Sequence, residues 1–99
     1  MLRVQLQQSA DETIIRMEGR FVGKYARDTL EFMLRQDLPK NSVVDLAEVT
    51  YVDQVGESVL ACLGCLGLQF FADSAYAIDV CERLRLPLAG KSEKKLRVM

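Results

Sequence analysis

Residues 43–60 read VVDLAEVTYVDQVGESVL, and this stretch decides the fold because it joins a strand to a helix. The short apolar run at 42–46 is rich in β-branched residues, which predicts a central strand covered on at least one face. Residues 47–52 are predicted to connect that strand to the next element. Asp53 is a predicted helix N-cap, because its carboxylate can accept hydrogen bonds from the free N–H groups of a first turn. A helix is then predicted from 54 to 72.

Upstream of this stretch, the hydrophobic pattern predicts a hairpin and a helix. Apolar and polar residues alternate over 2–7, and a second strand is predicted at 13–18, close enough in sequence for an antiparallel pair. Residues 19–23 contain two glycines and are predicted to be a connector. Residues 24–37 lack glycine and proline, and we expect them to form a helix that Pro39 ends. The apolar stripe of this helix is predicted to consist of Ala26, Leu30, Met33 and Leu34.

Downstream, a last strand is predicted at 75–80 and a short helical turn at 81–86, which Pro87 stops. The complete order is ββαβαβ plus a terminal helical turn. This alternation after a hairpin is typical of the α/β class, so we expect a single-domain mixed β-sheet with helices packed on it. The domain is expected to span residues 1–89, and residues 90–99 are expected to form a flexible basic tail.

The composition fits a small globular domain and excludes several classes of function. The 99 residues are 49% hydrophobic with a net charge of −1, and no run reaches the roughly 18 apolar residues of a membrane-spanning helix. Three cysteines are too few for a disulfide framework, so we expect a cytoplasmic protein with reduced thiols. The acidic body argues against nucleic acid as the partner. Histidine, the commonest general base and metal ligand, is absent, so we expect no enzyme activity, cofactor or metal.

The predicted helix at 54–72 is apolar on both sides, whereas a surface helix is normally polar on its outer side. One interpretation is that loops or the C-terminal segment cover the outer side. The other is a contact surface for a partner. On that interpretation the candidate interface residues are Leu60, Ala61 and Leu68, and a second copy of the chain could cover them in a homodimer.

Cys62 and Cys65 form a C-x-x-C pair inside the same predicted helix. A zinc site would need a second pair of ligands, which the chain lacks. A redox pair usually begins a helix, where the dipole lowers the thiol pKa. We therefore expect both cysteines to pack in the core as small hydrophobes. A thiol-redox protein that uses this pair is a weaker alternative.

Residues 43–60 also resemble the signature of STAS domains, the family of bacterial anti-sigma-factor antagonists and of related domains in sulfate transporters. The family pattern is a strand that ends in V-D-L, a short loop, and then a hydrophobic residue, D-S-S-G and an apolar helix. Here Val44-Asp45-Leu46 matches the strand end, and Val52-Asp53-Gln54-Val55-Gly56 matches the helix start. Residues 17–21 resemble the end of the family's second strand. The resemblance implies a STAS-like fold over residues 2–86.

In that family, the serine that follows the aspartate accepts a phosphate from a partner kinase, which is itself the anti-sigma factor. Gln54 occupies this position and has no hydroxyl group, so the resemblance implies a protein without the usual phosphoacceptor. Family members dock on their partner through the loop and the helix start. The resemblance therefore implies a partner-binding surface made of Asp53, Gln54, Val55, Gly56, Glu57 and Ser58.

Two functions follow from this resemblance. The first is a non-enzymatic regulatory module that binds an anti-sigma factor or a related regulator. The alternative is an accessory STAS subunit of a lipid-type ABC transporter, since similar one-domain members bind such ATPases. Thr50 and Ser58 carry hydroxyl groups near the family site, and whether either is modified stays open.

Overall fold

The computed structural model describes residues 2–39 and 42–89, and the predicted tail at 90–99 lies outside this part of the chain. The elements in chain order are β1 (Leu2–Gln8), β2 (Thr13–Phe21), α1 (Gly23–Leu34), β3 (Val43–Val52), α2 (Gln54–Cys65), β4 (Gln69–Phe71) and α3 (Ala75–Arg83). The strands form one sheet in the order β1-β2-β3-β4. β1 and β2 are antiparallel, whereas β3 is parallel to both β2 and β4. The predicted α/β class, with a mixed sheet in a ββαβαβ order and a helical element at the end, is confirmed.

The hairpin packs one face of its two strands into the core. Val4 pairs with Met17 and Leu6 with Ile15, so the alternating apolar residues of both strands share a face. This confirms the predicted hairpin. The connector predicted at 19–23 is wrong for its first three residues, because β2 continues to Phe21. A fully buried Phe21 ends the strand in the core.

β3 is ten residues long, and two β-bulges account for the failure to predict its second half. The register against β2 shifts after Asp45 and again after Val49, and each shift adds one residue to β3. Asp45 Oδ1 accepts a hydrogen bond from the N–H of Ala47 (2.9 Å) inside the first bulge. The connection predicted at 47–52 is therefore strand. Its buried residues lose strict alternation and are Val44, Leu46, Val49 and Val52.

α1 is shorter than the helix predicted at 24–37. It ends at Leu34, five residues before Pro39, so the proline does not stop it. Ala26 and Met33 of the predicted stripe are buried, whereas Leu34 is 58% exposed. The buried residues of α1 are Ala26, Thr29 and Met33, so the buried side of the helix is centred away from Leu34, which lies at its edge.

The helix predicted at 54–72 is too long, because α2 ends at Cys65 in a Schellman motif. Gly67 has a positive φ of 98° and donates its N–H to the carbonyl of Gly64 (3.0 Å). The next N–H along the chain donates to the carbonyl of Leu63 (3.3 Å). These bonds turn the chain away from the helix axis and into β4.

The strand predicted at 75–80 is wrong, because this segment begins α3. Ser74 is the N-cap, and its Oγ accepts a hydrogen bond from the N–H of Ala77 (3.0 Å). The helical turn predicted at 81–86 overlaps the end of this helix. Residues 87–89 then run beside β4. The buried residues of α3 follow helical spacing and are Ala77, Val80 and Cys81.

Candidate functional site

Asp53 follows β3 directly and binds the first turns of two helices. Its Oδ1 accepts a hydrogen bond from the N–H of Gly56 in α2 (2.8 Å), which confirms the predicted N-cap. Its Oδ2 accepts a hydrogen bond from the N–H of Gly23, the first residue of α1 (3.1 Å). Val22, which precedes α1, makes no side-chain cap of its own. One carboxylate therefore fixes both helix starts to the end of β3.

Gly56 lets the first turn of α2 lie directly on the ends of β2 and β3. A Cβ atom at this position would collide with the backbone carbonyl oxygen of Phe21 and would lie 2.8 Å from Cγ1 of Val52. Only a residue without a side chain fits this approach. The glycine of the D-Q-V-G sequence is thus required by the contact between the helix and the sheet.

The six residues predicted to bind a partner lie together at the start of α2, but they are exposed to different extents. Gln54 and Ser58 are exposed. Asp53, Val55 and Glu57 are half-buried, and Gly56 is buried. Ser58 Oγ donates a hydrogen bond to the carbonyl of Gln54 (3.2 Å). A partner can therefore touch Gln54 and Ser58 directly, whereas Asp53 and Gly56 hold the backbone beneath them.

All three tyrosines of the chain lie at this end of the sheet, although the sequence pattern gave no indication that they would be close together. Tyr51 is next to the end of β3, and Tyr25 and Tyr76 lie in the first turns of α1 and α3. Each is between 37% and 49% exposed. The guanidinium of Arg20 lies 5.3 Å from the Tyr51 ring centroid, within the range of a cation–π contact. We refer to the exposed residues Tyr25, Tyr51, Gln54, Ser58 and Tyr76 as the Gln54 surface.

Side chains of α3 make polar contacts with the end of β3 and with the first turn of α2. The N–H of Val52 donates to Tyr76 Oη (2.7 Å), and the Tyr76 hydroxyl donates to the carbonyl of Val52 (3.3 Å). Arg83 donates to the carboxylates of Glu57 (3.0 Å) and Asp79 (3.1 Å). The hydrogen bond to Glu57, followed by the one to Asp79, raises the pKa of Arg83 above its ordinary value. The end of β3 and the start of α2 therefore cannot move independently of α3 without breaking these contacts.

The interface patch predicted at Leu60, Ala61 and Leu68 is wrong for its two leucines. Leu60 is fully buried, Leu68 is 6% exposed, and Ala61 is half-buried. Leu68 faces the core because the chain has left the helix and turned towards β4. The exposed apolar residue at this end of α2 is instead Leu66, which is 56% exposed.

A groove of about 230 Å³, lined by apolar side chains together with Gln36 and Asp37, lies at the end of the molecule opposite the Gln54 surface. It runs between the C-terminal ends of α1 and α2 and includes the segment that follows α1. The exposed Leu34 and Leu66 are on its two sides, and the buried Met33 and Leu63 lie between them. The sequence indicated neither the groove nor its exposed leucines, because both depend on where the two helices end.

The prediction that Cys62 and Cys65 pack in the core is wrong, since both are exposed on α2. The third cysteine, Cys81 in α3, is buried. Burial, with a smaller contribution from Glu82, raises the pKa of the Cys81 thiol to about 11. Cys81 is therefore a protonated packing residue at neutral pH, whereas the other two thiols face solvent.

Comparison of the chain with protein-family models gave no match, and comparison with curated proteins gave none either. Within residues 2–39 and 42–89, no helix has both the length and the apolar character needed to cross a bilayer. In the same ranges, no group of three or more His, Cys, Asp or Glu side chains is placed to share a metal ion. The geometry around Asp53 is therefore the basis for assigning a function.

Proposed function

We propose that the chain is a non-enzymatic interaction module of the STAS type, which acts in the bacterial cytoplasm and binds a regulator such as an anti-sigma factor. The partner contacts the Gln54 surface. The observation that carries this proposal is the Asp53 carboxylate, which ties α1, α2 and β3 together beneath an exposed Gln54. Such a site presents a fixed shape without any group that must react.

The backbone beneath the Gln54 surface is held from several directions. Asp53 binds both helix starts, Gly56 lies against the carbonyl of Phe21, and Tyr76 bonds to Val52. A surface fixed in this way loses little conformational freedom on binding, which favours affinity. The carboxyl ends of parallel strands are also the edge at which open α/β sheets usually bind ligands.

The chemistry of the surface favours a protein partner. It contains three half-exposed tyrosines, and Arg20 lies over the ring of one of them, Tyr51. Tyrosine and arginine dominate the binding energy of many protein interfaces. Tyrosine offers a large contact area together with a hydroxyl that can make a hydrogen bond. We expect the tyrosines to supply most of the affinity and Gln54 to lie among them.

Binding at this surface is proposed to be constitutive, because Gln54 has no hydroxyl group to accept a phosphate. A phosphate at a helix start would add charge and bulk that could block an interface. The nearby hydroxyls of Ser58 and Thr50 donate to the backbone carbonyls of Gln54 (3.2 Å) and Gly19 (3.3 Å). We expect neither to replace the missing phosphoacceptor.

Co-purification from the source cells tests the proposal with matched variants. Gln54→Arg places a charge and a larger side chain on the Gln54 surface, whereas Gln7→Arg makes the same change at an exposed site on β1. We expect tagged wild-type protein and Gln7→Arg to recover the same partner, and Gln54→Arg to recover at least about tenfold less, a loss of about 1.4 kcal/mol.

Equal recovery by all three proteins, measured by quantitative mass spectrometry, would contradict the proposal. The identity of the recovered partner separates the two STAS-type functions. A sigma-factor regulator supports the regulatory module, whereas a transporter ATPase with its permease supports the accessory-subunit alternative.

A further inference from the structure

Cys62 and Cys65 are the two exposed thiols of the described residues, and they lie on the same side of α2. Side chains at positions i and i+3 of a helix have Cβ atoms about 5–6 Å apart. Two thiolates on one zinc ion, each about 2.3 Å from the metal, lie about 3.8 Å from each other. Ordinary rotation of the two side chains spans this difference, so the pair can provide two corners of a tetrahedral site.

Within the part of the chain that the structure describes, one copy does not complete such a tetrahedron by itself. Histidine is absent from the whole sequence, and no third Cys, Asp or Glu joins the pair among the residues that the structure describes. Cys81 is buried in α3. Structural zinc sites are closed by four ligands, and a second Cys62–Cys65 pair would supply the two that are missing.

The surroundings of the pair fit an identical partner. The sequence carries no charged residue from Ser58 to Ala72, so this part of α2 brings no like charges to a contact between two copies, although Asp37 lines the groove beside Leu34. Leu66 follows the pair and is 56% exposed, and Leu34 of α1 is 58% exposed beside the same groove. A twofold axis uses the same patch on both copies, so both leucines and both thiols are contributed twice.

The position of the pair argues against a nucleophilic thiol. Cys65 is the last residue of α2, where the negative end of the helix dipole does not stabilise a free thiolate, whereas a bound metal ion deprotonates its thiol ligands without help from a helix dipole. A reactive thiolate is instead stabilised at a helix N-terminus. We propose that Cys62 and Cys65 form half of a zinc site, which the same pair of a second copy completes.

Formation of this site exchanges protons for metal without any redox change. Four S–H bonds break, four Zn–S bonds form, and four protons pass to the solvent. The helix rises about 1.5 Å per residue, so Cys62 lies about 6 Å along α2 from Ser58, the nearest residue of the Gln54 surface, and Cys65 lies about 16 Å from Gln54. The two sites use different side chains of α2, and zinc binding by the isolated chain can be tested without the partner of the Gln54 surface, so either proposal can fail without the other.

Zinc titration of the reduced, chelator-treated full chain tests this inference. We expect a monomer in chelator and a dimer with one Zn²⁺ per two chains, measured by sedimentation velocity and metal analysis. Co²⁺ in place of Zn²⁺ should give the visible spectrum of a tetrahedral four-thiolate site. Zn²⁺ should also protect two thiols per chain from iodoacetamide in the folded protein.

Serine variants provide the matched comparison. Cys62→Ser and Cys65→Ser change exposed positions, and each should weaken zinc affinity by more than about 100-fold. Loss of a group that only hydrogen-bonds to a metal ligand usually weakens affinity by about 10–100-fold, so a larger loss indicates a ligand. Cys81→Ala removes the buried thiol and should bind zinc as the wild type does. Failure to bind Zn²⁺, a monomer with one Zn²⁺ per chain, or a dimer that persists in chelator would overturn the inference.

Discussion

At the scale of single residues, Asp53 has the largest structural role among the candidate site residues. Its two oxygens bind the N–H groups of Gly56 and Gly23 at the starts of α2 and α1. Negative charge is favourable at the positive end of each helix dipole. A serine at this position could cap one helix in the ordinary way, but it has a single oxygen for two separate helix starts.

Asp53→Ala is expected to lower the free energy of unfolding by about 2 kcal/mol, because it removes a charged cap and leaves N–H groups of two helices without this acceptor. Urea unfolding followed by circular dichroism measures the change. Asp37→Ala removes a carboxylate from an exposed position and should stay within about 0.5 kcal/mol of the wild type. Equal stability of the two variants would show that Asp53 does not hold the helix starts.

Gly56→Ala should lower the free energy of unfolding by about 2–3 kcal/mol, because the new methyl group collides with the backbone of Phe21. Gly64→Ala is the matched control in the same helix. Its Cβ atom meets the flexible side chain of Leu86 at 3.0 Å, and alanine favours the helix by about 1 kcal/mol. We expect this control to stay within about 1 kcal/mol of the wild type, and a Gly56→Ala protein of similar stability would contradict the close contact.

At the scale of elements, the sequence predicts those parts of the fold in which the local signals agree. Alternation predicts β1 and most of β2, and the Asp53 cap predicts the start of α2. Only the first half of β3 was predicted, because its two β-bulges break the alternation of buried and exposed residues on which the prediction depends. A β-bulge is formed against a neighbouring strand, so the spacing within one strand does not reveal it.

The boundary between α2 and β4 failed for a different reason. Glycine often ends a helix, but the apolar residues on both sides of Gly67 continue a helical pattern. This pattern predicts a helix that continues past Gly67. The same error moved the last strand into the sequence of α3, although Ser74 is a recognisable N-cap. The predicted order of elements is nevertheless correct, because one strand and one helix were each placed several residues late.

Gly67→Ala distinguishes the observed helix end from a continuous helix. Because Gly67 has a φ of 98°, alanine should lower the free energy of unfolding by about 1–2 kcal/mol. In a continuous helix the same change would raise stability by about 1 kcal/mol. Urea unfolding gives the sign directly, and a stabilised variant would contradict the Schellman motif at the end of α2.

At the scale of the whole molecule, the two proposed binding sites lie towards opposite ends of α2. The outer face of the sheet carries ion pairs between neighbouring strands, Arg3–Glu18 at 3.8 Å and Arg16–Asp45 at 3.5 Å. Such partly exposed pairs contribute little to stability, and this face stays polar. The Gln54 surface lies at one end of α2, and the exposed cysteines lie towards the other.

The sequence predicts the candidate site only where its residues are close together along the chain. Asp53, Gln54 and Gly56 are close in sequence, so their place at a helix start follows from capping rules. Tyr25, Tyr51 and Tyr76 lie in three different elements, and only the pairing of the strands brings them to one end. A surface of this kind depends on the topology of the fold, so it cannot be predicted from the spacing of residues along the chain.

Site-specific photo-crosslinking is the most direct test of the claim that a partner binds at Gln54. A photoreactive amino acid is placed at position 54 in one protein and at position 7, which is also an exposed glutamine, in another. After illumination of the source cells, we expect a discrete adduct of one partner at position 54 and none at position 7. An absence of adducts at position 54, or the same adducts at both positions, would contradict the account.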